Sequence, residues 1–317
     1  MDQENLLREN FNVLFFIDIN CFDCYYNYSG DIVKNVNLRD LHLDIVELLD
    51  VTQVARLYKT NDNKVFKFFD MDYLISMLNN GYDIEKKVLY GGELINVPEI
   101  VVPDSAVYDG NNFVGYTMPF FDGISIYDFV EYNRHNFSLD FLTNFFLKLE
   151  DVVKKSENVV FPDLLSNGNI LVNRTDMRLI DFDGLQIGEF KSPAISSSLG
   201  NMDIYDSDKY KKDGLYTKNI DIKSLIYLYF DLVFDCELRE LDNIGLNYGS
   251  CMKNERLKFL FNYYNINDSE LFDKVWRLYI DNESNIYLGD TINYIASNYK
   301  LDSKLYDLIN VRKLVKK

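Results

Sequence analysis

Residues Val160 to Gly184, V-F-P-D-L-L-S-N-G-N-I-L-V-N-R-T-D-M-R-L-I-D-F-D-G, constrain the fold more than any other stretch of the chain. Two short apolar runs, Ile170-Leu171-Val172 and Leu179-Ile180, read as strands, and the polar residues Asn173 to Asp176 supply a turn between them. A hairpin of this kind brings distant residues together. Asp163 and Asn169 precede its first strand, and Asp181 follows its second, eighteen positions beyond Asp163 (181 − 163). Carboxylate, amide and carboxylate converging on one spot suit a magnesium ion held partly through phosphate oxygens. Asp and Asn also crowd turns simply because their side chains bond to nearby backbone.

With 317 residues the chain can form two lobes with a substantial core, and its hydrophobic share of 47% is ordinary for a globular protein. It contains no run of about eighteen apolar residues. The N-terminus, M-D-Q-E-N-L-L-R-E-N, lacks the basic start and apolar middle of a secretory signal. A net charge of −17, from 50 acids against 33 bases, disfavours nucleic-acid backbones and anionic membranes as partners. The one basic cluster of note, Arg312 to Lys317, reads as a solvated tail.

Four cysteines make no disulfide framework. Cys21 and Cys24 form a C-F-D-C pair, but Cys236 and Cys251 offer no matching half-site for zinc, so reduced thiols and a cytoplasmic location are expected. The two histidines, His42 in an apolar-periodic stretch and His135 in a polar turn, suggest no Ser/His or Cys/His nucleophile.

Residues 1 to 43 read as an N-terminal extension packed on a first lobe. Ile45 to Leu49, Val54 to Tyr58 and Val65 to Phe69 read as strands, with Asn61-Asp62-Asn63 as turn material between the last two. Lys67 is the only charge in V-F-K-F-F, a position that an ordinary edge lysine would also occupy. Asp83 to Tyr90 is helix-like and Gly91-Gly92 can end it. It carries Glu85, eighteen residues after Lys67 (85 − 67), while the competing Glu93 falls beyond the glycines.

Val97 to Val102 is apolar, and Phe113 to Met118 reads as a strand after the turn at Asp109 to Asn112. Leu139 to Lys155 has the apolar spacing of a helix with a broad buried face, and Ile220 to Val233 is apolar almost all round, so a buried helix is expected. Residues 185 to 217, with Ser196-Ser197-Ser198 at their centre, fit a long mobile segment or any long surface loop. Leu257 to Tyr264 and Leu271 to Ile280 are helix-periodic.

The order Lys67, Glu85, Asp163 with Asn169, Asp181 and Asp221 resembles the protein kinase-like superfamily, which also contains small-molecule kinases, over residues 45 to about 235. The resemblance implies a two-lobed α+β fold, with a small β-rich N-lobe over 44–118 and a larger helical C-lobe over 119–317. It implies ATP and Mg2+ as cofactors. In it Lys67 holds the α- and β-phosphates, Glu85 holds Lys67, and Asp163 orients or deprotonates the acceptor hydroxyl. Asn169 binds one magnesium and Asp181 bridges metal and phosphates. Met118 would guard the back of the adenine pocket. In the hinge, Pro119 would offer only its carbonyl and Phe121 an N–H donor. Asp221, in D-x-x-S-L, would brace the catalytic loop.

The chain departs from this family at several points. Asp50-Val51-Thr52-Gln53, where the phosphate-covering loop belongs, has no glycine, although glycines there let backbone N–H groups approach phosphate. Phe161-Pro162 replaces the usual pair before the catalytic acid, which removes the arginine that would answer a phosphorylated activation loop. Asn169 stands six residues after Asp163 (169 − 163) where the family has five, and Asn167 is the alternative ligand. Leu165 stands where kinases acting on Ser or Thr often carry lysine. Asp183 replaces the family's glycine, with Gly184 next, and would add a metal contact or cap the turn. The implied function is an ATP- and magnesium-dependent phosphotransferase acting on protein Ser/Thr hydroxyls. The alternatives are a pseudokinase serving as a nucleotide-sensing or protein-binding scaffold, or a small-molecule kinase.

Overall fold

A computed structural model describes residues 33–42, 44–133, 139–166, 168–173, 176–193, 211–234, 267–280 and 288–298. Asn167, His135, Ser196 to Ser198, the four cysteines, Arg312 to Lys317, the Leu257 to Tyr264 segment and most of the 1–43 extension lie outside the described residues. The chain is a mixed α+β protein, and the described residues fall into two compact units, 33–76 with 103–120, and 77–102 with those from 121 on.

The first unit is built on a six-stranded sheet. Its strands are β1 (Lys34–Asn37), β2 (Ile45–Val51), β3 (Ala55–Thr60), β4 (Lys64–Phe69), β5 (Ser105–Asp109) and β6 (Asn112–Pro119), in the order β1-β5-β6-β4-β3-β2. All neighbours are antiparallel except β1, which runs parallel to β5. The expected strands are all present. β5 was not anticipated, although its Val-Tyr pair directly precedes Asp109-Gly110. In the structure Asp109 pairs with Asn112, and Gly110-Asn111 form the two-residue hairpin turn between them, in which Gly110 takes a φ of 59°. A side chain at Gly115 would overlap the Lys67 carbonyl oxygen, so glycine lets β6 approach β4 beside Lys67.

Alternation along β4 divides its side chains between two faces. Phe66 points into a cluster with Leu38, Leu41, Val107 and Val114, and Phe68 packs against it. Val65, Lys67 and Phe69 share the other face, where Phe69 packs on Tyr73, Phe113 and Tyr116. At the sheet edge β2 is exposed along nearly its whole length. A helix over Met71–Asn79 follows β4, started by the Asp70 carboxylate, which accepts from the amides of Asp72 and Tyr73.

The second unit is mostly helical. Its Leu139–Lys155 helix buries Leu142, Phe145, Phe146, Leu149, Val152 and Val153, which lie at the helical spacing visible in the sequence. Phe146 meets Tyr229 of the Asn219–Phe234 helix edge-on, with centroids 5.0 Å apart, a geometry worth about 1 kcal/mol beyond area burial. The Ser269–Ile280 and Leu288–Asn298 helices complete the described part. Buried Glu150 receives the Gly289 amide at the start of the last helix.

Small strand pairs carry the turns of this unit. β9 (Ile170–Val172) pairs with β10 (Met177–Leu179) and with β7 (Ile124–Ser125), which precedes the Ile126–Asn133 helix. β8 (Val159–Val160) pairs with β11 (Gln186–Ile187). The apolar run Val97 to Val102 forms no strand of its own but bridges β10 at Ile100 and Leu179. No described helix is long and apolar enough to cross a membrane.

Candidate active site

The β8–β11 pair sets Val160 opposite Gln186 and so closes the segment between them into a loop. Inside that loop the β9–β10 hairpin forms as its polar turn suggests, with the Asn173 amide donating to the Asp176 carbonyl at 3.0 Å. The last paired residues are Ile170 and Leu179. One step outward, the Ile180 amide donates to the Asn169 carbonyl at 3.1 Å, which sets Asp181 beside the strand that Asn169 begins.

Asp163 and Asn169 are joined directly. Asn169 Nδ2 donates to the Asp163 carbonyl oxygen at 2.7 Å, and the Asn169 amide donates to Ser166 O at 3.2 Å. With Nδ2 so placed, Oδ1 is the Asn169 atom left to ligate a cation. Ser166 Oγ donates to Asp163 Oδ1 at 2.6 Å, which orients the carboxylate. Ser166 was missed in the sequence. Its spacing of three from an Asp in a turn was a signal, because such side chains bond locally.

The loop is braced from below. Asp221, fully buried in the first turn of its helix, accepts the Phe161 amide on Oδ1 at 2.7 Å and Lys218 Nζ on Oδ2 at 3.1 Å. Burial pushes its carboxyl up to about 6, against the pull of Lys218 and the Phe161 amide.

After β10 the chain turns through a single 3₁₀ turn, Phe182–Gly184, with the Gly184 amide donating to Asp181 O at 3.1 Å. A Cβ at Gly184 would overlap Asp181 Oδ2, so the carboxylate rests against the bare glycine Cα. Asp183 is buried, and its carbonyl accepts a hydrogen bond from Lys87 Nζ.

Lys67 lies mid-strand in β4 with 7% of its surface exposed, its Nζ 5.4 Å from the Phe69 ring centroid. It is flanked across the sheet by Leu57 and Tyr116, so it is not a solvated edge lysine. Asp83 caps the Ile84–Tyr90 helix by accepting the Lys86 amide. Glu85 on that helix is exposed, whereas Lys87, which the sequence did not single out, is buried, as are Ile84, Val88 and Leu89 of the same helix. Gly91 does not end the helix in a left-handed turn. It keeps a φ of −69° and leads into a 3₁₀ turn, Gly91–Leu94, that includes Glu93. Met118 is buried in β6 opposite Val65, and Pro119 is exposed at that strand's end. Phe121 is partly exposed, with the Arg178 guanidinium 5.4 Å from its ring centroid.

The donor chemistry fits magnesium. Asn169 and Asp181 carry hard oxygen donors, and Mg2+ is commonly held by one or two protein ligands together with phosphate and water. Among the described residues no cluster of three or more His, Cys, Asp or Glu could form an all-protein metal cage. Neither a protein-family model nor a curated protein matches this chain.

Proposed function

We propose that the protein is an ATP- and Mg2+-dependent phosphotransferase of the two-lobed protein kinase-like fold, with protein serine or threonine hydroxyls as acceptors. One observation carries the reading. The Asp163 loop is tied to Asn169 through the Asp163 carbonyl and, two residues earlier, to buried Asp221 through the Phe161 amide. Two long-range or medium-range polar residues thus hold one turn, a degree of support that an ordinary surface turn does not need.

In this reading Asp163 accepts a hydrogen bond from the acceptor hydroxyl and takes its proton as the oxygen attacks, with Ser166 holding the carboxylate in one rotamer. Asn169 Oδ1 and the Asp181 carboxylate would hold Mg2+, which when bound offsets the negative charge of the transferred phosphoryl group. Lys67 would neutralise α- and β-phosphate oxygens, with Glu85 orienting it. Met118, Pro119 and Phe121 would line the adenine site. Lys67 lies mid-strand in the β-rich unit, and Glu85, Asp163, Asn169 and Asp181 lie in the mostly helical one.

Thermal unfolding with and without ATP and Mg2+, on wild type and Asp181→Asn, tests this. A ligand that binds only the folded state raises the melting temperature. A Mg2+-dependent rise that the variant lacks is the expected result. No rise at millimolar nucleotide would remove the reading and leave the second one, a protein-binding pseudokinase scaffold. That second reading is favoured by the β2–β3 turn, whose Val51, Thr52, Val54 and Ala55 amides bond within the turn itself.

A further inference from the structure

We infer that Lys87 is a positioning residue that latches the Asp181–Gly184 turn to the Ile84–Tyr90 helix and so sets the affinity of the site for Mg2+. The inference rests on the phosphotransferase reading for the metal, but its geometric half stands on the fold alone.

Lys87 is 2% exposed, and its Nζ donates to Asp183 O at 2.9 Å and to Leu185 O at 2.8 Å. Those carbonyls flank Gly184, the residue against which the Asp181 carboxylate rests. The mechanical chain is therefore short. The lysine holds the Asp183–Gly184 and Leu185–Gln186 peptide units on either side of Gly184, Gly184 holds Asp181 Oδ2 by contact, and the Gly184 amide bonds back to Asp181 O. Ser192 Oγ donates to Gly184 O at 2.6 Å and fixes the third side of the same residue.

The helix is brought close by a second device. At Gly91, where it ends, a Cβ would stand 3.3 Å from the Phe182 ring, the Ile187 side chain and Lys87 Cγ. A methyl there is a tight fit, so these side chains must shift by a few tenths of an ångström to admit it. Burying an ammonium is costly unless it is fully hydrogen-bonded, and a methionine would fill the same length without that cost. A lysine here supplies what methionine cannot, two directed bonds to the metal loop's backbone. Substituting an outer support of a metal ligand typically lowers metal affinity by tenfold or more without touching the ligand.

The test uses Lys87→Met, Lys87→Arg and Gly91→Ala in the full chain, with two readouts. One is the Mg2+ concentration that half-saturates the ATP-induced rise in melting temperature. The other is backbone hydrogen exchange of residues 182–188 without ligand, with the Leu139–Lys155 helix as internal control. Lys87→Met is expected to raise half-saturating Mg2+ about tenfold. Losing bonds to a charged donor should also speed exchange in 182–188 by about tenfold or more, with the control helix unchanged. Lys87→Arg, which keeps the donors, should recover part of both effects.

If wild type responds to Mg2+ and Lys87→Met matches it in both readouts, the inference is overturned and the phosphotransferase reading stands. If wild type shows no Mg2+ response while Lys87→Met still loosens 182–188, the latch is supported and the phosphotransferase reading falls. Should Lys87→Met fail to fold, Gly91→Ala gives the decision: faster exchange confined to 182–188 supports the latch, and unchanged exchange overturns it.

Discussion

The β2–β3 turn and the Asp181–Gly184 turn each follow a strand, yet they are held in opposite ways. The first is closed on itself. Thr52 Oγ1 accepts the Val54 and Ala55 amides at 3.3 and 3.0 Å, Asp50 Oδ1 accepts the Val51 amide at 2.8 Å, and the strand before it is solvent-exposed. The second is held from outside itself, by Lys87 from a helix nearly a hundred residues earlier and by Ser192 from the segment that follows. A turn that satisfies its own amides needs no partner and offers few amides to an anion. A turn held by distant groups keeps a carboxylate in a set place, which is what a ligand site requires.

Substitutions at the two turns and their supports put this contrast to measurement. The largest effect is expected at Asp163, in the externally braced loop. Asp163→Asn should slow phosphotransfer from labelled ATP by at least about a hundredfold, the lower range for a positioned general base, with little change in the urea midpoint. A rate near wild type would take Asp163 out of the chemistry.

Gly184→Ala comes next. Its methyl would displace Asp181 Oδ2 rather than backbone, so half-saturating Mg2+ should rise about tenfold, while the unliganded melting temperature moves little. Unchanged Mg2+ dependence would mean that Asp181 is not a ligand.

Asp221→Asn tests the brace beneath the loop through pH. A carboxyl raised to about 6 binds its proton more tightly folded than unfolded. Its contribution is therefore full below about pH 4, the ordinary range for an aspartate, and is lost as pH climbs through about 6. In urea unfolding between these pH values, wild type should lose on the order of 2–3 kcal/mol relative to Asp221→Asn. Parallel curves would show that Asp221 stays ionised throughout.

The smallest effect belongs to the self-closed turn. Thr52→Ala should cost about 1 kcal/mol of stability and leave the nucleotide-induced melting shift as it was. A changed shift would break the contrast, because it would mean that this turn touches the ligand.

Much of the second unit's site was legible because its signals are local. Ile170-Leu171-Val172, a polar turn and Leu179 specify a hairpin within ten residues, and a hairpin necessarily sets Asn169 near Asp181. The long helix over Leu139–Lys155 followed from apolar spacing repeated over several turns. β1, by contrast, is a four-residue strand of K-N-V-N whose parallel partner lies some seventy residues on, and nothing in those four residues marks it. The Met71–Asn79 helix was overlooked although Asp70 is a capping residue. Met71, Leu74, Ile75 and Leu78 recur at helical spacing, yet the helix buries no side chain fully and leaves Ile75 and Leu78 exposed.

The amino-acid sequence by itself determined the β4 strand with Lys67 inside it, the Asp163–Asn169 turn, the Asp181 hairpin and the helix that carries Asp221, because propensity, periodicity and turn chemistry act over a few residues. Tertiary structure alone decided which charges go inside. Glu85, Lys86 and Lys87 are consecutive on a seven-residue helix, and nothing local ranks them. The arrival of the Asp183 and Leu185 carbonyls stabilises Lys87 in its buried place, since a buried cation is stable only where directed acceptors replace its water.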